Sequence, residues 1–153
     1  MTPDDIDATN DEVAALFFRS LRVRLLLDTH VGLWAITYDQ RLSERARGLL
    51  TDGGNKIFIS AASVWEIAVQ HALSRGRRND IVSSGRDALT RFAEAGCALP
   101  AISPAHAAEV EILPKLHADP FDRLLLAQAF SEPLGLLTRD TKILAYGGTT
   151  IEV

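Results

Sequence analysis

The chain has 153 residues, 47% hydrophobic and 24% charged, with one cysteine and two tryptophans. That fits one domain of ordinary size and excludes a disordered tail protein, a collagen-like repeat and a disulfide scaffold. No apolar run approaches the roughly 18 residues that span a bilayer, so no membrane role is expected, and the lone Cys97 suits a reducing cytoplasm.

The formal charge of −4 is unevenly spread. Residues 1–12 carry five acids (Asp4, Asp5, Asp7, Asp11, Glu12) and no base. Without them, 15 acids face 16 bases, a net of +1. Charge therefore neither supports nor excludes a nucleic-acid partner.

In chain order, residues 1–22 read as an appendage, an acidic start followed by the short apolar segment Val13–Phe18. The domain proper takes up 23–153. Val23–Leu27 is a compact apolar strand that ends in Asp28. Helical spacing follows through Leu33, Trp34 and Ile36, then again over Ser43–Leu50 behind a serine cap. Asp52-Gly-Gly-Asn55 marks a turn and Lys56–Ile59 a second strand. The next helix, through Val64, Ile67 and Leu73, has Ser60 or Ser63 as its cap, and Ser63-x-x-Glu66 matches a capping box. A basic stretch from Arg75 to Asn79 interrupts it. Helices near Arg86–Ala95 and Pro104–Leu113 precede Asp119-Pro-Phe-Asp122, which opens another through Phe130. Leu134–Thr138 and Thr149–Val153 complete the strands. This alternation predicts an α/β fold whose largely parallel sheet binds ligands beyond the carboxyl ends of its strands.

Carboxylates gather at that edge. Asp28 and Asp140 follow strands, Glu66 lies two turns into the helix after the second strand, and Asp119 and Asp122 occupy a first helical turn. Two like charges about 4 Å apart repel by roughly 4 kcal/mol at an effective dielectric near 20, a cost relieved by protonation or a cation. Mg²⁺ or Mn²⁺ suits oxygen ligands, and activation of a water beside a polarised phosphodiester is the logic of metal-dependent nucleases. Each acid also has a purely structural reading. Asp119 before Pro120 makes an N-cap, Asp122 answers a helix dipole, Glu66 partners Ser63, and Asp140 closes a turn. Asp28, ending a buried strand, is the hardest to explain this way.

Four blocks carry a family resemblance: Leu-Leu-Leu-Asp28-Thr-His-Val-Gly-Leu-Trp34, Ile-Ser60-Ala-Ala-Ser-Val-Trp-Glu66-Ile-Ala, Asp119-Pro-Phe-Asp122-Arg-Leu-Leu-Leu-Ala-Gln128-Ala and Leu-Leu-Thr138-Arg-Asp140. In that order they resemble a PIN-domain ribonuclease of the VapC type, the toxin half of a bacterial toxin–antitoxin pair. The resemblance implies a three-layer α/β/α sandwich with about five mainly parallel strands. It also implies Mg²⁺-dependent RNA cleavage, inhibition by a VapB-type antitoxin, a homodimer and a cytoplasmic location. Asp28, Glu66, Asp122 and Asp140 become the acidic quartet, with Asp28 and Asp122 the main metal ligands. Asp119 is placed behind them, and Thr138 is expected to orient a water from the strand end.

Arg75, Arg77 and Arg78 are candidates to hold the RNA backbone, or else form a solvated loop. His30 receives no role. Trp34, Trp65 and Phe121 are expected in the core or at a dimer interface. His71, His106 and His117 show no metal-ligand spacing and are assigned nothing. Residues 1–22 resemble the C-terminal tail of a VapB-type antitoxin, from which Arg19 or Arg22 would reach the acidic pocket. A cloning remnant or a mistaken start is the other reading. Two alternatives to a nuclease are a catalytically silent PIN-like RNA- or partner-binding domain and a phosphoacceptor receiver domain. The second conflicts with Asp28 standing alone at its strand end and with Lys142 following Asp140.

Overall fold

The structure, a computed structural model, describes residues 23–74 and 83–153. The antitoxin-like segment with Arg19 and Arg22, and the stretch with Arg75, Arg77 and Arg78, lie outside the described residues.

The apolar run of the first strand becomes β1 (Arg24–Leu27), which sits between β2 (Lys56–Phe58) and β3 (Gly135–Thr138), with β4 (Thr150–Glu152) outside β3. All pairs are parallel, in register Leu26 with Phe58, Leu26 with Leu136 and Leu137 with Ile151. Parallel neighbours need crossovers, supplied by α1 (Thr29–Thr37), α2 (Glu44–Thr51), α3 (Ala61–Leu73), α4 (Gly85–Glu94), α5 (Pro104–Glu109), α6 (Pro120–Ser131) and α7 (Thr141–Leu144). A 3₁₀ turn at Val110–Ile112 follows α5.

The sheet is buried on both faces, so its strands read as continuous apolar runs rather than alternating ones. Leu25, Leu27 and Leu137 pack with Val31 and Leu33 of α1, Ala46 of α2 and Ala88 and Phe92 of α4. Leu26, Leu136 and Phe58 pack with Leu125, Leu126 and Ala129 of α6 and Ile143 of α7. Three layers result, as expected.

The strand count differs. Four strands form, and the expected fifth is reduced to one parallel bridge between Phe58 and Ala98. Ala98 exchanges backbone bonds with Ile57 and Ile59, but Pro100 two residues on has no N–H to offer, so the ladder stops at the edge.

Ser60 alone caps α3, accepting from Ala62 N at 3.0 Å. Ser63 is buried one turn inside, where its hydroxyl oxygen accepts from Thr29 at 3.0 Å. The expected Ser63–Glu66 capping box is therefore absent, and Glu66 has no capping role.

Helices α3 and α4 approach closely at Gly85. A Cβ there would stand 2.7 Å from Ala68 Cβ and 3.2 Å from Ala68 Cα, contacts that backbone cannot yield to. Gly85→Ala is expected to destabilise the fold by about 1–3 kcal/mol, the usual cost of overpacking. A urea midpoint lowered at unchanged slope would register it.

Candidate active site

The parallel topology brings the carboxyl ends of β1, β2 and β3 together, and the loops leaving them deliver the acids. Asp28, Glu66, Asp119, Asp122 and Asp140 line one cavity of about 620 Å³, with His30, Val31, Trp34, Arg41, His117 and Arg139 around them. All five expected carboxylates are thus brought to one place.

Three of them cap helices while doing so. Asp28 Oδ1 accepts from His30 N at 3.3 Å at the start of α1. Asp119 Oδ1 accepts from Phe121 N at 2.8 Å and Asp122 N at 3.1 Å at the start of α6, with Pro120 at the first helical position. Asp140 Oδ1 accepts from Lys142 N at 2.8 Å at the start of α7. One oxygen of each carboxylate is fixed by backbone, and the caps place the acids near the positive ends of helix dipoles.

Thr138 ties two of these acids together. Its buried hydroxyl donates to Asp28 Oδ2 at 2.7 Å and accepts from Asp140 N at 3.0 Å. Thr138 thereby links β1 directly to the turn after β3.

The second oxygen of Glu66, Oε2, is buried without a hydrogen-bond partner. None of the five carboxylates pairs with a lysine or arginine among the described residues. The mutual field shows in the acidities. Burial pushes Asp28 upward against the pull of Thr138, and Glu66 rises through burial and the nearby Asp119. Asp122 is driven to about 7 by burial first, then by Asp28, Asp119 and Glu66.

His117, to which the sequence assigned nothing, sits in this cavity. Its buried ring places Nε2 2.7 Å from Asp122 Oδ2 and 3.5 Å from Asp140 Oδ2. The shorter contact lies off the N–H direction, so Nε2 has no hydrogen-bond partner. His117, Asp122 and Asp140 offer ligand atoms within 4.8 Å of one another. Nδ1 accepts from Asp119 N at 3.4 Å, which orients the ring against these acids.

A clamp below holds the loop that carries His117. Arg123 donates to the carbonyls of Val110, Leu113, Pro114 and His117 and to Tyr146 Oη, which itself accepts from His117 N at 3.0 Å. The signal in the sequence was proximity alone: His117 stands two residues before a helix cap and five before Asp122.

The other unassigned side chains separate. His106 completes a capping box with Ser103, its Nδ1 accepting from Ser103 N at 3.0 Å, and contacts Glu132 at 3.0 Å. His30 lines the cavity. Trp65, expected in the core or at an interface, is 57% exposed and packs against Phe121 with centroids 4.7 Å apart. Trp34 is half-buried under the guanidinium groups of Arg41 and Arg139.

The family model of the PIN domain matches residues 25–148. The chain belongs to the PIN domain family. PIN domains are generally nucleases and generally use a divalent metal. No curated protein sequence matches the chain. Among solved structures, the PIN fold here is similar to VapBC2 from Rickettsia felis bound to a DNA fragment from its promoter, with a TM-score of 0.63 and 18% identity over 85% of this chain and 98% of that one. It is also similar to a toxin–antitoxin complex from Klebsiella pneumoniae, with a TM-score of 0.53 and 23% identity over 83% and 95%. A third similar structure is FitAcB from Neisseria gonorrhoeae, with a TM-score of 0.51 and 20% identity over 83% and 96%. At these identities the likeness concerns the fold.

The raised pKa of Asp122 fixes a sign. Between its ordinary 3.8 and about 7 the native PIN domain binds more protons than the unfolded chain, so this group's contribution is full at acid pH and fades as pH rises. In EDTA, Asp122→Asn is expected to melt higher than the parent at pH 8, and the gap should close toward pH 4. Paired thermal melts across that range check it; a gap that widens toward acid would contradict it.

Proposed function

We propose that this PIN domain is a divalent-metal-dependent endoribonuclease toxin of the VapBC type, restrained by a VapB-type antitoxin. The observation that carries the reading is five carboxylates converging on one cavity, one of them with a buried, unpartnered oxygen. Buried like charges without a counter-ion are costly, and an all-oxygen donor set fits a hard divalent cation such as Mg²⁺ or Mn²⁺.

Asp28, Glu66, Asp122 and Asp140 would hold the ion, with Asp119 behind them. When bound, it supplies Lewis-acid polarisation of a phosphodiester and easier ionisation of a water. The remaining work falls to the chain. Thr138 holds Asp28 in one rotamer through its 2.7 Å bond, and the cap at Lys142 N fixes Asp140. His117, with Nε2 2.7 Å from Asp122 Oδ2, packs against that acid at the cavity wall.

RNA as the substrate rests on the four sequence blocks. The Rickettsia felis and Klebsiella pneumoniae structures are toxin–antitoxin complexes, which supports an antitoxin as partner. A homodimer and a location in the bacterial cytoplasm belong to the same reading, and no helix among the described residues is long and apolar enough to cross a membrane.

The test is cleavage of total cellular RNA by the full chain in Mg²⁺. Asp122→Asn and EDTA should each lower the rate by at least about 10²–10³-fold, the scale for removing one key electrostatic group. Equal cleavage by parent and variant would assign the activity to a contaminant. Thr138→Val, which frees Asp28 without removing a carboxylate, should cost about 10–100-fold, as for other residues that orient metal ligands. Mg²⁺ at 100 times its dissociation constant should stabilise the parent by about 2.7 kcal/mol and Asp122→Asn by much less.

A further inference from the structure

A carboxylate pocket repels the polyanion it would have to cut. Its rim carries the opposite charge on two sides. On one side, Arg41 and Arg139 lie over Trp34, with guanidinium carbons 5.2 and 5.4 Å from the ring centroid. Both arginines are exposed and line the carboxylate cavity. Arg41 is engaged by Asp39 at 2.7 Å, whereas Arg139 has no carboxylate partner among the described residues; its Nη1 donates to Arg41 O at 2.8 Å. Asp39 takes up Nε and Nη2 of Arg41, which leaves its Nη1, with Nε and Nη2 of Arg139, for a phosphate.

On the other side, His117 separates the carboxylate pocket from a second cavity of about 530 Å³. Lys115 and Lys142 line it, and neither ammonium has a hydrogen bond or ion pair among the described residues. Arg123, also on its wall, is occupied by the carbonyls and hydroxyl of the loop clamp. The imidazole of His117 is thus shared by a cationic hollow and the acidic pocket.

We infer that these two cationic groups are phosphate subsites, so that a single-stranded RNA crosses the acidic pocket with one flanking phosphate at Arg41 and Arg139 and the other at Lys115 and Lys142. This rests on the nuclease reading and deepens it. The acids would act on the phosphodiester between the flanking phosphates, while the cations on either side carry the affinity.

The experiment is equilibrium binding, by fluorescence anisotropy, of a short fluorescein-labelled single-stranded RNA to the full chain in EDTA over a range of salt. Arg41→Gln with Arg139→Gln, and separately Lys115→Gln with Lys142→Gln, should each weaken binding on the order of tenfold at low salt. Each pair should also flatten the salt slope by about 0.7, the amount expected when one single-strand phosphate is left without its cations. Lys56→Gln, at the amino edge of β2 and away from both cavities, should change neither. A slope unchanged in either pair overturns the two-sided path, as does tighter binding of duplex DNA of equal length. Binding in EDTA does not depend on cleavage, so those outcomes leave the nuclease reading standing, whereas unaltered cleavage by Asp122→Asn strikes that reading first.

Discussion

Five carboxylates share one cavity at the carboxyl edge of the sheet, and much of the local structure serves to hold them there against their own repulsion. At an effective dielectric near 20, each close pair costs roughly 4 kcal/mol at 4 Å. Three of the acids offset this by capping helices α1, α6 and α7, where backbone N–H groups and the dipole favour negative charge. Capping and function are therefore the same placement. A cap fixes Oδ1 and so fixes the direction of Oδ2: onto Thr138 in Asp28, and toward His117 in Asp140.

The rest of the domain makes that placement rigid. Parallel pairing aligns the ends of β1 and β3, so Thr138 can reach Asp28 across 110 positions of sequence. Gly85 lets α4 close onto α3, the helix that carries Glu66. Arg123 and Tyr146 pin the loop before α6, which brings His117 against the acids that α6 and α7 present. Each of these interactions lies outside the carboxylate group itself and holds an element that carries one of its members or packs against it.

Much of this was legible in the sequence because it follows from local rules. A short apolar run ending in aspartate predicts a strand whose last residue meets the sheet edge, and Asp-Pro predicts a capped helix; both hold at Asp28 and Asp119. What was not legible depends on tertiary packing. Ser60 and Ser63 were equal candidates for one cap, and the choice fell to Ser60 while Ser63 turned inward onto Thr29. The missing fifth strand turns on Pro100, whose absent N–H ends a ladder that Ala98 had begun. His117 carries no spacing signature because its place is set by Arg123 and Tyr146, contacts made through a loop rather than along a helix face.

The acids differ in how they are held. Asp122 and Glu66 lack the side-chain bond to backbone that holds Asp28, Asp119 and Asp140, and Glu66 leaves one buried oxygen with nothing to accept from. Asp122, pushed to about 7 chiefly by burial and then by its acidic neighbours, carries much of the repulsion at neutral pH. A cation entering the cavity would draw much of its gain from ionising these two and Asp28, whose cap does not relieve the cost of its burial. The caps thus set the shape of the cavity, and the buried Asp28, Glu66 and Asp122 set how strongly it calls for positive charge. Arg41 and Arg139 line that cavity and Lys115 and Lys142 line its neighbour, none of them paired with one of the five acids among the described residues.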